Sequence, residues 1–324
     1  MDTGYAVNLN TARRWAQEER HDDRRYEHQE PQKPLIEGVC LDDDGEDIEA
    51  IWEAAFRVQD LAQEKHLRKG QQSIDFSHES KPIAIAFLSD MHFGNAGTDY
   101  RQARQDAEII RDTPGLYAGN HGDGQDNWIV GKLQGLQRGQ AVPYDGEVAL
   151  HRAYLELLRD KWLWLVPGNH DLWTKKIAGL EHIQEALRGT HVLYDPFQVV
   201  VDLRLQGATI RHIVRHKYRW GSIFNPTHGQ EVSWGRGDID FDVAIGGHTH
   251  TGTVFRPFFA HNKMRVAVQT GTYKKLDSFG DELGFPSPKG SGCGAIIYYP
   301  DGRMSPQYDL ATAADFLTYL RKNV

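Results

Sequence analysis

The run Ile83-Ala84-Ile85-Ala86-Phe87-Leu88 is apolar without a break and ends abruptly at Ser89-Asp90. Six apolar residues with no polar alternation read as a strand covered on both faces, which requires a sheet inside a layered domain. Similar runs recur at 162–166, 197–205, 208–214, 242–245, 265–268 and 295–299. Helical patterns at 147–159 and 175–187 interleave with them, so the chain predicts an α/β layered domain and not an all-β one. Gln206-Gly207 and Pro300-Asp301-Gly302 are turn signals between strands, and Thr312 followed by Asp315 predicts a capped terminal helix.

Three segments follow along the 324 residues. Residues 1–46 are polar, mixed in charge and poor in aliphatics, which predicts an arm or loose helix with no core of its own. Over 47–80, Ile48, Ile51, Trp52, Ala55, Val58, Leu61 and Ala62 recur at helical spacing, predicting an amphipathic helix and lead-in that pack on the core. The main domain then occupies 81–324 with a helix at its end. No apolar run is long enough to cross a membrane, and Met1-Asp2-Thr3-Gly4 has neither the basic stretch nor the apolar core of a secretion signal, so a soluble cytoplasmic protein without a membrane partner is expected. Cys40 and Cys293 are too few for a disulfide framework or a cysteine-built zinc site. A net charge of −8 argues against a protein that coats nucleic acid, although bound metal ions add local positive charge that composition does not count.

Sixteen histidines is a high count, and several stand beside glycine in the corners that follow the apolar runs. Asp90-Met91-His92 comes first; alternation along an extended chain would turn its carboxylate and imidazole the same way, toward one metal. Gly122-Asp123-Gly124-Gln125-Asp126-Asn127 comes second, with glycines that allow a tight turn around Asp123. In the third, Trp162 to Val166 runs straight into Pro167-Gly168-Asn169-His170-Asp171, where Asn169 offers an amide oxygen and His170 an imidazole able to move a proton. The fourth, Gly246-Gly247-His248-Thr249-His250, sets two imidazoles where each can reach a different ion of a pair. His216 ends the strand before the loop at 217–226; His212, deeper in that strand, reads as structural. Corners at the carboxyl ends of strands are where open α/β sheets carry their sites.

Taken in this order, the corners resemble the calcineurin-like metallophosphoesterases, whose loops read Asp-x-His, Gly-Asp-x-x-Asp, Gly-Asn-His-Asp or Glu, a lone His, and Gly-His-x-His. The resemblance spans residues 83–250, or to about residue 300 with the last strands. It implies a four-layer sandwich of two mixed β-sheets flanked by helices, here with an N-terminal helical extension. It also implies two divalent metal ions, manganese foremost, with zinc, iron, nickel and cobalt compatible with the same donors. Asp90, His92 and His250 would hold the first ion, Asn169, His216 and His248 the second, and Asp123 would bridge them. His170 would act on the phosphoryl group or leaving oxygen, its ring oriented by Asp126. The reaction so implied is hydrolysis of a phosphate ester by a hydroxide bridging the two metals.

Two features depart from that pattern. The stretch Leu116-Tyr117-Ala118-Gly119-Asn120-His121 is poor as a strand and carries a second Gly-Asn-His, which leaves His121 a candidate for the site, and 131–143 reads as an insertion near the substrate mouth. Whether His228 contributes is also open. Cations and aromatics near the corners, namely Arg101, Arg104, Tyr218, Arg219, Trp220, Tyr273, Lys274 and Lys275, favour a phosphodiester substrate such as DNA, RNA or a nucleotide. Alternatives are a phosphomonoesterase or protein phosphatase on the same centre, or a non-catalytic scaffold. The protein phosphatases' Arg-Gly after Gly-Asp-x-x-Asp is replaced here by Asn127-Trp128.

Overall fold

A computed structural model describes residues 48–69, 72–129, 139–180, 182–222, 224–236, 240–276 and 292–323. The polar arm expected over 1–46 lies outside the described residues, as do Cys40 and most of the expected insertion at 131–143. The chain divides into two compact units, Met1–Leu67 and Arg68–Val324. The described part of the first lies in helix α1 (Ile48–Lys69), whose last two residues fall in the second; on it Trp52 and Phe56, four residues apart, stack with ring centroids 5.7 Å apart.

The second unit holds two six-stranded mixed sheets. One runs β12-β11-β2-β3-β4-β5, with β2 (Ile83–Leu88), β3 (Leu116–Asn120), β4 (Trp162–Leu165) and β5 (Leu193–Tyr194) parallel, and β11 (Ala295–Tyr298) and β12 (Met304–Gln307) antiparallel. The other runs β1-β6-β7-β8-β10-β9, from β1 (Gln72–Asp75), β6 (Val199–Arg204), β7 (Thr209–Val214), β8 (Val243–Gly246), β9 (Val254–Ala260) and β10 (Lys263–Gln269). Within it β7, β8 and β10 are parallel neighbours.

Side-chain size along β2 shows how the layers assemble. Ile83, Ile85 and Phe87 enter the core between the sheets, with Leu203, Val214, Ile245 and Val268. Ala84, Ala86 and Leu88 face a second core that includes Ala103 and Ala107 of α2 (Tyr100–Asp112), Leu155 of α3 (Tyr144–Leu157) and Ala313 of α7 (Leu310–Asn323). Bulk fills the inter-sheet gap, and alanine on the other face lets the helices approach closely. On the outer face of the second sheet, Val200, Ile213 and Ala244 pack with Phe241 and with Trp234 of α6 (His228–Arg236). The expected sandwich of two mixed sheets flanked by helices is present.

Local expectations fared unevenly. The stretch at 116–121 does form β3, between β2 and β4; Gly119 gives up a side chain because the Trp164 indole occupies the space a Cβ would take. The helix expected over 175–187 is two short helices, α4 (Trp173–Ala178) and α5 (His182–Ala186), because Gly179 adopts φ +69° and ends the first. The terminal helix begins earlier than expected and is capped by Asp309, which accepts from Thr312 N at 2.7 Å. The β9–β10 hairpin carries no turn signal in the sequence because its two-residue turn is His261-Asn262, both at positive φ, in place of the usual Asn-Gly.

Candidate metal centre

β2, β3 and β4 in one sheet and β7, β8 and β10 in the other deliver their carboxyl-terminal loops to one place, where main-chain hydrogen bonds tie them together. Asp90 N donates to Gly122 O at 2.9 Å, His92 N to Asp123 O at 3.0 Å, and Gly247 N to His216 O at 2.9 Å. The loop after β10 holds the first corner from below, with Tyr273 N and Thr272 Oγ1 both donating to Asp90 O.

Asp90, His92, Asp123, His248 and His250 all have positive φ, between 48° and 75°, as does Asn127 at 46°. These are six of the nine non-glycine residues in that region among the described residues. Each costs about 1–3 kcal/mol of backbone strain, which surrounding structure must overcome. The extended alternation expected for Asp90 and His92 is therefore not what aims them; two left-handed residues turn the chain over itself.

Six side chains meet here as two sets. Asp90 Oδ1 is 3.3 Å from His250 Nε2 and 4.0 Å from His92 Nε2, and the two imidazole nitrogens are 2.9 Å apart. Asp123 Oδ2 is 3.1 Å from His216 Nε2, which lies 3.2 Å from His248 Nδ1. Asp123 also reaches the first set, 4.0 Å from His92 Nε2. A third grouping, His92 with Asp123 and His170, brings in the seventh side chain. The two histidines of 248–250 thus separate, one to each set.

Hydrogen bonds on the far side of each ring decide what faces inward. His92 Nδ1 is 2.8 Å from Asp126 Oδ1, and His216 Nδ1 is 2.7 Å from the His121 carbonyl. Both partners only accept, so both Nδ1 atoms carry hydrogen and both Nε2 lone pairs point at carboxylates. Lone pairs aimed at anions require a positive charge between them. Without a metal, protons fill that need: burial lowers the His216 pKa, but the Asp123 charge beside it outweighs burial and lifts it to about 10. Burial would raise both Asp90 and Asp123, yet His250 and His216 pull Asp90, and His216 and His170 pull Asp123, well below the usual carboxylate range. His92 and His248 fall to about 4, by burial first and then by the charge of Lys274 and of His216 respectively. Asp90 Oδ1 is buried without a hydrogen-bond donor among the described residues. An orphaned carboxylate oxygen beside inward imidazole lone pairs is a donor set that fits divalent cations.

His170 lies at the edge of this cluster, gripped at three points. Its N–H donates to Asp123 Oδ1 at 2.9 Å, its carbonyl accepts from Asn127 Nδ2 at 2.6 Å, and its Nδ1 meets the Asp126 carbonyl. Trp173 lies over the ring with centroids 4.0 Å apart, and Trp128 stands edge-on at 4.7 Å. Asp126 therefore orients His170 through its main chain. Its carboxylate is committed elsewhere, to His92, Asn95 Nδ2, Gln140 Nε2 and Lys274 Nζ. Asn169 sits half-buried between Gly168 and His170 on the same corner. Asp171 closes that corner by accepting from the N–H groups of Gly168, Gly124 and Gln125; burial and the Asp123 charge raise its pKa to about 7.

Other candidates fall outside the cluster. The His121 ring bonds the Leu88 carbonyl and Trp164 Nε1, so this residue supports the site from behind. His212 bonds Tyr298 in the inter-sheet core, and His228 opens α6. Tyr218, Tyr273 and Lys274, expected at a substrate rim, are buried, whereas Lys217, Arg219 and Trp220 are exposed. Asn95, Gln140, Lys274 and Thr272 support the centre, and the sequence carries no signal of that role because none belongs to a metal-donor motif.

No protein-family model matches the chain, and no curated protein sequence matches it. Among solved structures it is similar to the calcineurin-like phosphoesterase YfkN from Bacillus subtilis, with 12% identity over 75% of this chain and 100% of that one and a TM-score of 0.34. Vps29 from Chaetomium thermophilum shares 11% identity over 69% of this chain and 92% of its own, with a TM-score of 0.30. A Thermotoga maritima protein solved by NMR shares 16% identity over 70% and 99%, with a TM-score of 0.32. At these identities and scores the likeness stands beside the site's geometry and adds no weight to it.

Proposed function

We propose that this protein is a metal-dependent phosphoesterase that hydrolyses phosphodiester bonds, with Asp90, His92 and His250 holding one divalent cation, Asn169, His216 and His248 a second, and Asp123 shared by both. The observation that carries this reading is the pair of buried carboxylate–imidazole sets joined through Asp123, their tautomers fixed so that lone pairs converge. Bound there, two cations would supply the charge that activates water and neutralises phosphate oxygens.

The chain's own residues supply the rest. With Nδ1 committed to the Asp126 carbonyl, His170 has Nε2 available to hold a proton and pass it to the leaving oxygen. Trp128 and Trp173 shield that ring from water. The Ser89 hydroxyl is buried and donates to Asp90 Oδ2 at 2.5 Å, which favours water over a protein hydroxyl as the attacking group.

A diester is favoured because no arginine stands at the second corner, 122–128. A monoester dianion calls for an arginine clamp, and Asn127-Trp128 stands where the protein phosphatases have Arg-Gly, with Asn127 spent on His170. Lys274 is buried against Asp126. Exposed Lys217, Arg219 and Trp220, following His216, suit the phosphates and bases of a nucleotide or nucleic acid. Metal-loaded protein should cleave bis(p-nitrophenyl) phosphate faster than p-nitrophenyl phosphate. Preference for the monoester would reverse the substrate class, and turnover of neither would remove the enzyme.

A further inference from the structure

Glu147, in the first turn of α3, is buried and belongs to neither metal set. Its Oε1 accepts the Asn127 N–H at 2.7 Å. Its Oε2 lies over Gly94, 2.5 Å from where a Cβ on that residue would stand, and Gln140 Oε1 lies 2.7 Å from the same point. Gln140 Oε1 is buried with no hydrogen-bond donor among the described residues. Turning the Gln140 amide over does not help, because its Nε2 donates to Asp126 Oδ2 at 2.6 Å and the exchange would set an oxygen against that carboxylate. Two oxygens therefore stand together over Gly94, and a proton on Glu147 would give Gln140 Oε1 the donor it lacks among the described residues.

We propose that Glu147 is a positioning residue held as a neutral carboxylic acid, its hydroxyl donating to Gln140 and its carbonyl accepting from Asn127. The corner Asp126-Asn127 is thereby braced from one side chain in two directions. Gln140 passes the constraint to Asp126, whose other oxygen holds His92 Nδ1; Asn127 passes it to the His170 carbonyl. The charged and titratable groups around Glu147 are Asp126 after β3, Asp171 after β4, Tyr100 on α2 and, one turn along its own helix, His151. Burial keeps His151 neutral, and the Lys274 charge lies against Asp126. Burial foremost, opposed by the N–H groups of Asn127 and Asp126 and reinforced by the charges of Asp126 and Asp171, pushes the Glu147 carboxyl up to about 8.

The test compares full-length, manganese-loaded wild type, Glu147→Gln and Glu147→Ala. Glutamine reproduces a neutral acid's shape and its ability to donate; alanine removes both. The infrared difference between wild type and Glu147→Gln at neutral pH should contain the carbonyl stretch of one protonated carboxylic acid. With bis(p-nitrophenyl) phosphate, Glu147→Gln should keep kcat within about threefold of wild type and lose the fall in rate on the alkaline side, whereas Glu147→Ala should lose roughly tenfold or more in kcat with KM and metal content held. Absence of the protonated-acid band, or a Glu147→Gln variant as impaired as Glu147→Ala, overturns the proposal. The kinetic comparison rests on the phosphoesterase reading; the infrared band does not, so a band without any turnover sinks the esterase and supports the neutral acid.

Discussion

At the scale of single residues, the centre depends on which atom of each ring carries hydrogen. Asp126 fixes that for His92, and the His121 carbonyl fixes it for His216. Asp126→Asn replaces a pure acceptor with a group that can turn its NH2 toward His92, releasing the tautomer. Isothermal titration should then show metal affinity reduced by about 10- to 100-fold; unchanged affinity would mean that Asp126 serves only Asn95, Gln140 and Lys274. In the proposed reaction His170 serves a different step, so His170→Ala should keep most bound metal while kcat drops by about 100- to 10,000-fold. Full turnover in His170→Ala would end its assigned role. The aspartates and histidines that the fold gathers were legible in the sequence because such residues in the corners after apolar runs have few structural uses. The true partners of the Asp126 carboxylate were not, since residues 92, 95, 140 and 274 are neighbours only after folding.

Elements set how closely those residues approach. Gly168 stands so near Asp123 that a Cβ would fall on Oδ1, and Gly119 lies against Trp164. The two positions separate site from scaffold. Gly119→Ala should cost about 1–3 kcal/mol in urea unfolding by overpacking the indole. Gly168→Ala should displace Asp123 and remove metal binding out of proportion to any loss of stability, as metal analysis beside the same unfolding curve would show. Equal effects at both positions would count against the distinction. Strands with an unbroken apolar run were readable from the residues, whereas β9, with Arg256, Pro257 and Phe259 on its exposed positions, lacks the pattern of a half-buried strand. α2 was equally hidden, since its buried face is built largely from Ala103, Ala107 and Ile110. The left-handed corners escaped for another reason: aspartate and histidine do not announce positive φ as glycine does, and the strain becomes visible only with the backbone in hand.

For the molecule as a whole, stability should respond both to protons and to metal. The Glu147 pKa, raised in the fold above the unfolded carboxyl value, makes protonation stabilising. That contribution is full below the unfolded pKa of about 4.3 and is lost as pH rises to about 8. The melting temperature of wild type relative to Glu147→Gln should accordingly fall across that interval and flatten above it; a constant difference would contradict a neutral acid. Metal bound at the two sets would accept the converging lone pairs and offset the carboxylate charge, so at 1,000 times its dissociation constant it should add about 4 kcal/mol of stability per site. Among the described residues no helix is long and apolar enough to cross a membrane. The direct test of the whole account is the metal content of purified protein measured by mass spectrometry after reconstitution and desalting. Two ions per chain in wild type and none retained in Asp123→Ala are expected; a wild type that holds no metal, or an Asp123→Ala variant that holds as much, would contradict the shared centre.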